Sequence, residues 1–224
     1  MDIMKKYLTP IIFAVVVLGV AIFAIIALRS PEKSTSATSN NTTVTGPNLV
    51  TLETGHDQGP ADAKVVLTEF GDYQCPICGE YYPLLKNQIL PQYSGKIRFV
   101  FKNFPLSQHQ NALNAAEAAE AAGAQGNYWG MHDLLYSNQN DWATLSDPVP
   151  TIGKYAAQLG LDSNRLMSEV RAKKYASVIQ SDVNFGNKLQ VQGTPTFYVN
   201  GKLVDTVNNG QGALVTSLNA ALGQ

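Results

Sequence analysis

The tightest constraint on this chain is the placing of its two cysteines, Cys75 and Cys78, with only Pro76 and Ile77 between them. Ahead of them, Val65-Val66-Leu67-Thr68-Glu69-Phe70 is nearly continuous apolar sequence rich in β-branched residues. Such a run reads as a strand buried on both faces. Gly71-Asp72 ends it, and a helical pattern runs from the cysteines to Leu90. Pro76 suits the first helical turn, where its missing N–H is not needed. Pro83 falls inside the helix and is expected to kink it. Cys75 then stands at a helix N-terminus, where free backbone N–H groups and the helix dipole favour a thiolate. Cys78 follows within disulfide reach, so one sulfur can bond a client and the other can resolve that bond.

Two other readings of the pair stay open. A Cys-x-x-Cys can be half of a metal site, to be completed by His56, His109 or His132, none of which forms a close-spaced pair. It can also be a structural disulfide, although closing so short a loop removes little chain entropy. The strand before and the helix after favour redox exchange. Two cysteines cannot supply a four-thiolate zinc site.

Downstream, Ile97, Phe99 and Phe101 alternate with Arg98, Val100 and Lys102, which predicts a second strand and a βαβ unit. The alanine-rich stretch 111–124 predicts a helix, as do 128–136 and 151–159. Gly160 is a helix stop and Asp162 a helix start. Gly193-Thr194-Pro195 interrupts the helical pattern before the strand Thr196-Phe197-Tyr198-Val199. Asn200-Gly201 is the preferred two-residue hairpin turn; Lys202-Leu203-Val204 returns, and a last helix covers 212–222. The order is βα, β, several helices, then ββα.

Two further residues attach to the cysteines. Thr194-Pro195 could be an ordinary turn. Opening a strand in a chain with this cysteine pair, it instead suggests a cis bond facing the sulfurs, with the Thr194 backbone free to pair with a client peptide like an added strand. Glu69, in an otherwise apolar strand, is either a carboxylate escaping to solvent or a buried acid with a raised pKa that shuttles protons to and from Cys78.

Glu69-Phe70-Gly71-Asp72-Tyr73-Gln74-Cys75-Pro76-Ile77-Cys78 and Gly193-Thr194-Pro195-Thr196-Phe197-Tyr198-Val199-Asn200-Gly201 resemble the two signatures of the DsbA-like thiol–disulfide oxidoreductases. Gly59-Pro60-Ala61-Asp62-Ala63 resembles that family's lead-in, and Asn103-Phe104-Pro105-Leu106 the start of its inserted helical domain. The resemblance runs from about Thr54 to Leu222. It implies an α/β thioredoxin-like fold with an α-helical insertion at about 105–190. It implies an extracytoplasmic enzyme that forms disulfides in reduced secreted or surface proteins. By position Cys75 is the nucleophile, Cys78 the resolving thiol, Thr194-Pro195 the cis-proline pair and Glu69 the buried acid. The resemblance also implies a DsbB- or VKOR-type quinone-linked membrane protein as re-oxidant, and no cofactor beyond the cysteine pair. In the family's best-known oxidases His stands where this chain has Ile77, and Val often stands in place of Thr194. Those departures keep a reductase or isomerase on the same scaffold as the alternative, and a non-catalytic binding module or metallochaperone as a lesser one.

Composition bounds the rest. With 45% hydrophobic residues, 15% charged and a net charge of -1, the chain is neither disordered nor collagenous. It lacks the basic excess of a nucleic-acid binder. Ile11 to Leu28 is an uninterrupted apolar run. As a helix it is long enough to cross a hydrocarbon core of ~30 Å. A cleaved signal peptide is the rival, with a shorter apolar region of about 7–15 residues. Lys5 and Lys6 before the run balance Arg29 and Lys33 after it, so charge leaves its orientation open. The expected layout is a short tail over 1–10, a transmembrane signal-anchor helix over 11–28, a flexible Ser/Thr/Asn-rich linker over 29–48 and the soluble domain over 49–224, outside the cytoplasm.

Overall fold

A computed structural model describes residues 43–224. The expected tail and signal-anchor helix, and most of the linker, lie outside the described residues. Among the described residues, no helix is long and apolar enough to cross a membrane.

The folded part starts earlier than position 49. Thr43 bridges to Lys202, the Val44 N–H donates to the Gly201 carbonyl at 2.7 Å, and Val44 is buried. Helix α1 then covers Pro47–Leu52. Residues 43–48, placed by composition in the linker, therefore belong to the packed domain. Val44 is the apolar residue that a polar tract conceals, and the Gly201 carbonyl that receives it is remote in sequence.

Five strands form one mixed sheet in the order β1-β3-β2-β4-β5. They are β1 (His56–Gln58), β2 (Val65–Gly71), β3 (Ile97–Asn103), β4 (Thr196–Val199) and β5 (Lys202–Val204). β2 is central, parallel to β3 and antiparallel to β4, and every residue of it is buried. That is the behaviour expected of an apolar run covered on both faces. β1, too short and polar to show a period, is an edge strand the sequence does not announce; it pairs antiparallel with β3. The β4–β5 turn has φ of 47° at Asn200 and 78° at Gly201. Both central residues are left-handed, as the Asn-Gly pair predicts.

Period two divides β2 between two cores. Val65 and Leu67 face the larger one with Phe99, Phe101, Phe197 and both cysteines. Phe70 faces the smaller one with Leu52, Phe104, Phe185 and Tyr198. Glu69 has the parity of Val65 and Leu67 and so points to the side of the cysteines.

Helix α2 (Pro76–Leu84) carries Cys78 and Tyr81 inward. Pro83 has no N–H to give the Gly79 carbonyl, and the register changes within a turn: Leu85–Ile89 is π-helical before the helix resumes over Leu90–Gln92. Between β3 and β4 lie α3 (Ala112–Gly123), α4 (Tyr128–Ser137), α5 (Val149–Gln158), α6 (Ser163–Arg171) and α7 (Ala176–Lys188). α3 is buried nearly all round, and its alanines let neighbouring elements approach closely. α6 starts where expected, with the Asp162 carboxylate accepting the Arg165 N–H at 2.9 Å. α8 (Gly212–Leu222) closes the sheet through Leu214 and Leu218.

Candidate active site

Cys75 is the N-cap of α2 with extended backbone (φ -66°, ψ 122°), and Pro76 occupies the first helical turn. Both cysteines are free thiols; Cys75 is 5% exposed and Cys78 1%. In its thiol form the Cys75 Sγ donates to the Thr194 carbonyl at 3.3 Å. The Thr194-Pro195 peptide bond is cis. Residues far apart in sequence thus meet at one sulfur. Ile77, between the cysteines, is exposed beside them.

The two thiols are electrostatically unlike. The Cys75 pKa is lowered to about 5, first by a hydrogen bond from the Cys78 thiol, then by the Thr194 side chain and the backbone N–H groups of Cys78 and Ile77; burial opposes them. The Cys78 pKa is pushed up, first by burial, then by its bond to Cys75 and by the nearby Glu69 charge. One sulfur is a thiolate at neutral pH and the other a buried thiol. Alkylation of Cys75 in the reduced chain is accordingly expected to be half-maximal near pH 5. Cys78 should stay unmodified up to pH 8. Peptide mass mapping after iodoacetamide pulses across pH checks this, and equal labelling of both cysteines would contradict it.

Glu69 is 2% exposed, and its strand partners are Phe101 and Phe197. Of the two sequence readings, escape to solvent is therefore wrong in geometry. Burial, and then the Cys75 charge, raise the Glu69 pKa to about 8. A Cβ at Gly71 would collide with the Phe101 ring, so glycine lets the strand end pass close over that side chain.

The backbone around Cys75 is held by residues that the sequence reading passed over. Asp72, read only as a strand terminator, accepts from the Gln74 N–H at 2.7 Å, the Leu106 N–H at 2.9 Å and His109 Nδ1 at 2.7 Å. The first contact is an Asx-type turn, a local signal available in the sequence. Gln139 donates to the carbonyls of Tyr73 at 2.7 Å and Cys75 at 3.0 Å. Gln74 bonds Ala143 O and accepts from the Asn111 N–H. These partners come from the helical insertion, so the insertion braces the cysteine loop.

The histidines that a metal site would recruit are engaged elsewhere. His56 bonds Glu120, His109 bonds Asp72, and His132 bonds Asp133. Among the described residues, no group of three or more His, Cys, Asp or Glu side chains could hold a metal ion.

A thioredoxin family model (Thioredoxin_4) matches residues 51–214. The chain belongs to the thioredoxin family. A solved structure of BdbD from Bacillus subtilis, in its oxidised form, superposes with a TM-score of 0.70 at 24% identity, covering 83% of this chain and all of that one. The probable disulfide bond formation protein D of Bacillus anthracis is 27% identical over 169 residues, spanning 71% of this chain and 76% of that protein. A Salinispora arenicola protein named Na(+)/H(+) antiporter NhaA 1 is 40% identical over 148 residues, spanning 66% of this chain. The chain spans only 22% of that protein's length, so the likeness is to a part of it. This thioredoxin family member thus keeps the resemblance to DsbA-like proteins that its two motifs carry.

Proposed function

We propose that this thioredoxin-family chain is a thiol–disulfide oxidoreductase that forms disulfides in reduced secreted or surface proteins. It works outside the cytoplasm, tethered by residues 11–28. The observation that carries this reading is the unlike pair of thiols, with Cys75 low at about 5 beside the Thr194 carbonyl and Cys78 buried and protonated.

A client thiolate attacks the Cys75 sulfur of the oxidised pair. The Cys75–Cys78 bond breaks, and Cys78 leaves and takes a proton, for which Glu69 is the adjacent donor. The client's second thiol, on losing its proton, attacks the client sulfur of the mixed disulfide, and Cys75 leaves as a thiolate. Two electrons pass to the cysteine pair and the client gains a disulfide. A low pKa makes Cys75 a good leaving group and stabilises the reduced enzyme, which favours oxidation of the client. The exposed Ile77 and the Thr194 backbone are the surface on which a client strand would lie. A quinone-linked membrane protein of the DsbB or VKOR type would restore the disulfide.

Two measurements test the reading. Cys78→Ser is expected to accumulate covalent complexes with clients presented as disulfides, whose sulfur the Cys75 thiolate attacks while the client's other sulfur leaves as a thiolate, and Cys75→Ser to form none; complexes absent from both would defeat it. The reduction potential is expected above about -200 mV, on a scale where related pairs span about -270 to -120 mV. A value near -270 mV would favour the reductase reading that Ile77 and Thr194 keep open.

A further inference from the structure

Beside Glu69 lies a small cavity of about 10 Å³. That is room for a single water molecule. Glu69 lines it from β2, Tyr82 and Lys86 from α2 and the turn after it, and His132, Asp133 and Tyr136 from α4. His132 is 5% exposed. Its Nε2 and the Tyr136 hydroxyl are buried polar atoms with no hydrogen-bond partner among the described residues. Polar atoms left so are costly; Leu85, Leu90 and Phe99 also form the wall, and a water-sized cavity that a carboxyl group also lines is where such atoms find a bridging water.

The other side of the imidazole leads outward. His132 Nδ1 donates to Asp133 Oδ1 at 3.2 Å, and Asp133 Oδ2 accepts from Lys86 Nζ at 2.5 Å. Asp133 is partly exposed. With Nδ1 donating, the unpartnered Nε2 carries the lone pair. Glu69 has no such outlet along the sheet, since Phe101 and Phe197 flank it.

We propose that His132 is the proton relay of this site, passing the Glu69 proton to and from solvent through one cavity water on its Nε2 side and Asp133 on its Nδ1 side. The proposal rests on the exchange chemistry given above. When Cys78 attacks a mixed disulfide at Cys75, its S–H proton goes to the Glu69 carboxylate. The Cys75–Cys78 bond forms, the bond from Cys75 to the partner sulfur breaks, and the partner leaves as a thiolate carrying the electron pair. Glu69 then hands one proton to the water, the water gives one to His132 Nε2, and the Nδ1 proton leaves through Asp133. The opening of the Cys75–Cys78 bond by an external thiolate runs the chain inward and restores the first tautomer. No electrons pass through the relay.

The surroundings suit a neutral carrier. Burial lowers the His132 pKa, against the raising effect of Asp133 on its own helix; Lys86 and His56 lower it further. Tyr73, Tyr82 and Tyr128 face the ring from the elements around it. The Tyr73 and Tyr128 hydroxyls have pKa values raised by burial and stay neutral.

The reduced full chain, treated with Ellman's aromatic disulfide, releases one chromophoric thiolate when Cys75 attacks and a second when Cys78 resolves. Below pH 8 Glu69 holds a proton that it must unload before it can accept the one from Cys78. His132→Phe is expected to slow the second phase about tenfold at pH 6–7, less than the ~10²–10⁴-fold typical of a lost general acid or base, because Glu69 itself remains. The first phase should not change, and the gap should close above pH 8. A second phase equal to wild type across pH 5–9 would overturn the relay. So would slowing by one factor at every pH, which is what a merely structural role would give. If His132→Phe does not fold, Asp133→Asn, which still accepts from Nδ1 but takes no proton, is expected to show the same pH-dependent slowing, and its absence overturns the relay. A wild-type chain with no second phase would instead defeat the exchange reading, and the relay with it.

Discussion

Replacing Asp72 with alanine is expected to destabilise the reduced domain by about 3–5 kcal/mol, from the loss of three hydrogen bonds to one buried carboxylate. Its carboxylate is 0% exposed and holds three donors at once: two backbone N–H groups, of Gln74 and Leu106, and His109 Nδ1. Alanine removes all three, and hydrogen bonds to a charged group contribute about 1.5–3 kcal/mol each, less where the donor is partly open to water, as these are. Asp72→Asn should lose less, because one oxygen remains to accept while the amide group opposes the other donors. Asp72 also anchors the loop into the site, since the Cys75 N–H donates to the Asp72 carbonyl at 3.0 Å. The alkylation midpoint of Cys75 should therefore move up in the variants that still fold. Urea midpoints of wild type, Asp72→Ala and Asp72→Asn measure the effect; equal midpoints would show that the contacts carry no net stability.

The parts of this fold that could be read from the sequence are those set by short-range rules. The central strand shows as an apolar run, the Asn200-Gly201 turn as two residues tolerant of positive φ, and the start of α6 as an aspartate cap. The parity of Glu69 with Val65 and Leu67 was readable too. Its burial was not, because that depends on Phe101 and Phe197 arriving from other strands. The polar strand β1 exists because β3 offers it an edge, and Val44 is buried because Gly201 accepts from it. Asp72, read only as a strand end, and Gln139 escaped notice for the same reason, and His132 was weighed only as a metal ligand. Each looks like an ordinary polar residue until the insertion folds back over the cysteine loop. Alanine content foretold α3 as a helix, but not that its Glu120 would be buried against His56 and Asn103.

Glu69→Gln is expected to become progressively more stable than wild type as pH rises, with the difference growing by about 3–5 kcal/mol between pH 4.5 and 8. Burial and the Cys75 charge raise the folded pKa from 4.5 to about 8. Below 4.5 the carboxyl is protonated in both states and the fold keeps its full stability. Between 4.5 and 8 the unfolded chain releases a proton that the folded chain retains, so each pH step favours unfolding. Above 8 the loss is complete. Glutamine has no proton to release and no such slope. Cys75 works in the opposite sense in the reduced protein. Its folded pKa is depressed from 9.0 to about 5, so its stabilisation is full above 9 and lost as pH falls through 5. Over pH 5–8 the two slopes oppose each other, and these groups leave the reduced wild type nearly level. Glu69→Gln should expose the rising Cys75 slope, and Cys75→Ser the falling Glu69 slope. The oxidised protein, with no thiolate, should fall with pH like Cys75→Ser. The pH dependence of the redox equilibrium is then shallower than that of an unfolded dithiol: between pH 5 and 8 reduction takes up one proton, at Cys78, rather than two, so rising pH favours the oxidised form less steeply. Denaturant midpoints of the three reduced proteins and the oxidised wild type, taken from pH 4.5 to 9, test the scheme. Parallel curves for Glu69→Gln and wild type would mean that Glu69 is ionised in the fold and cannot be the proton store beside Cys78.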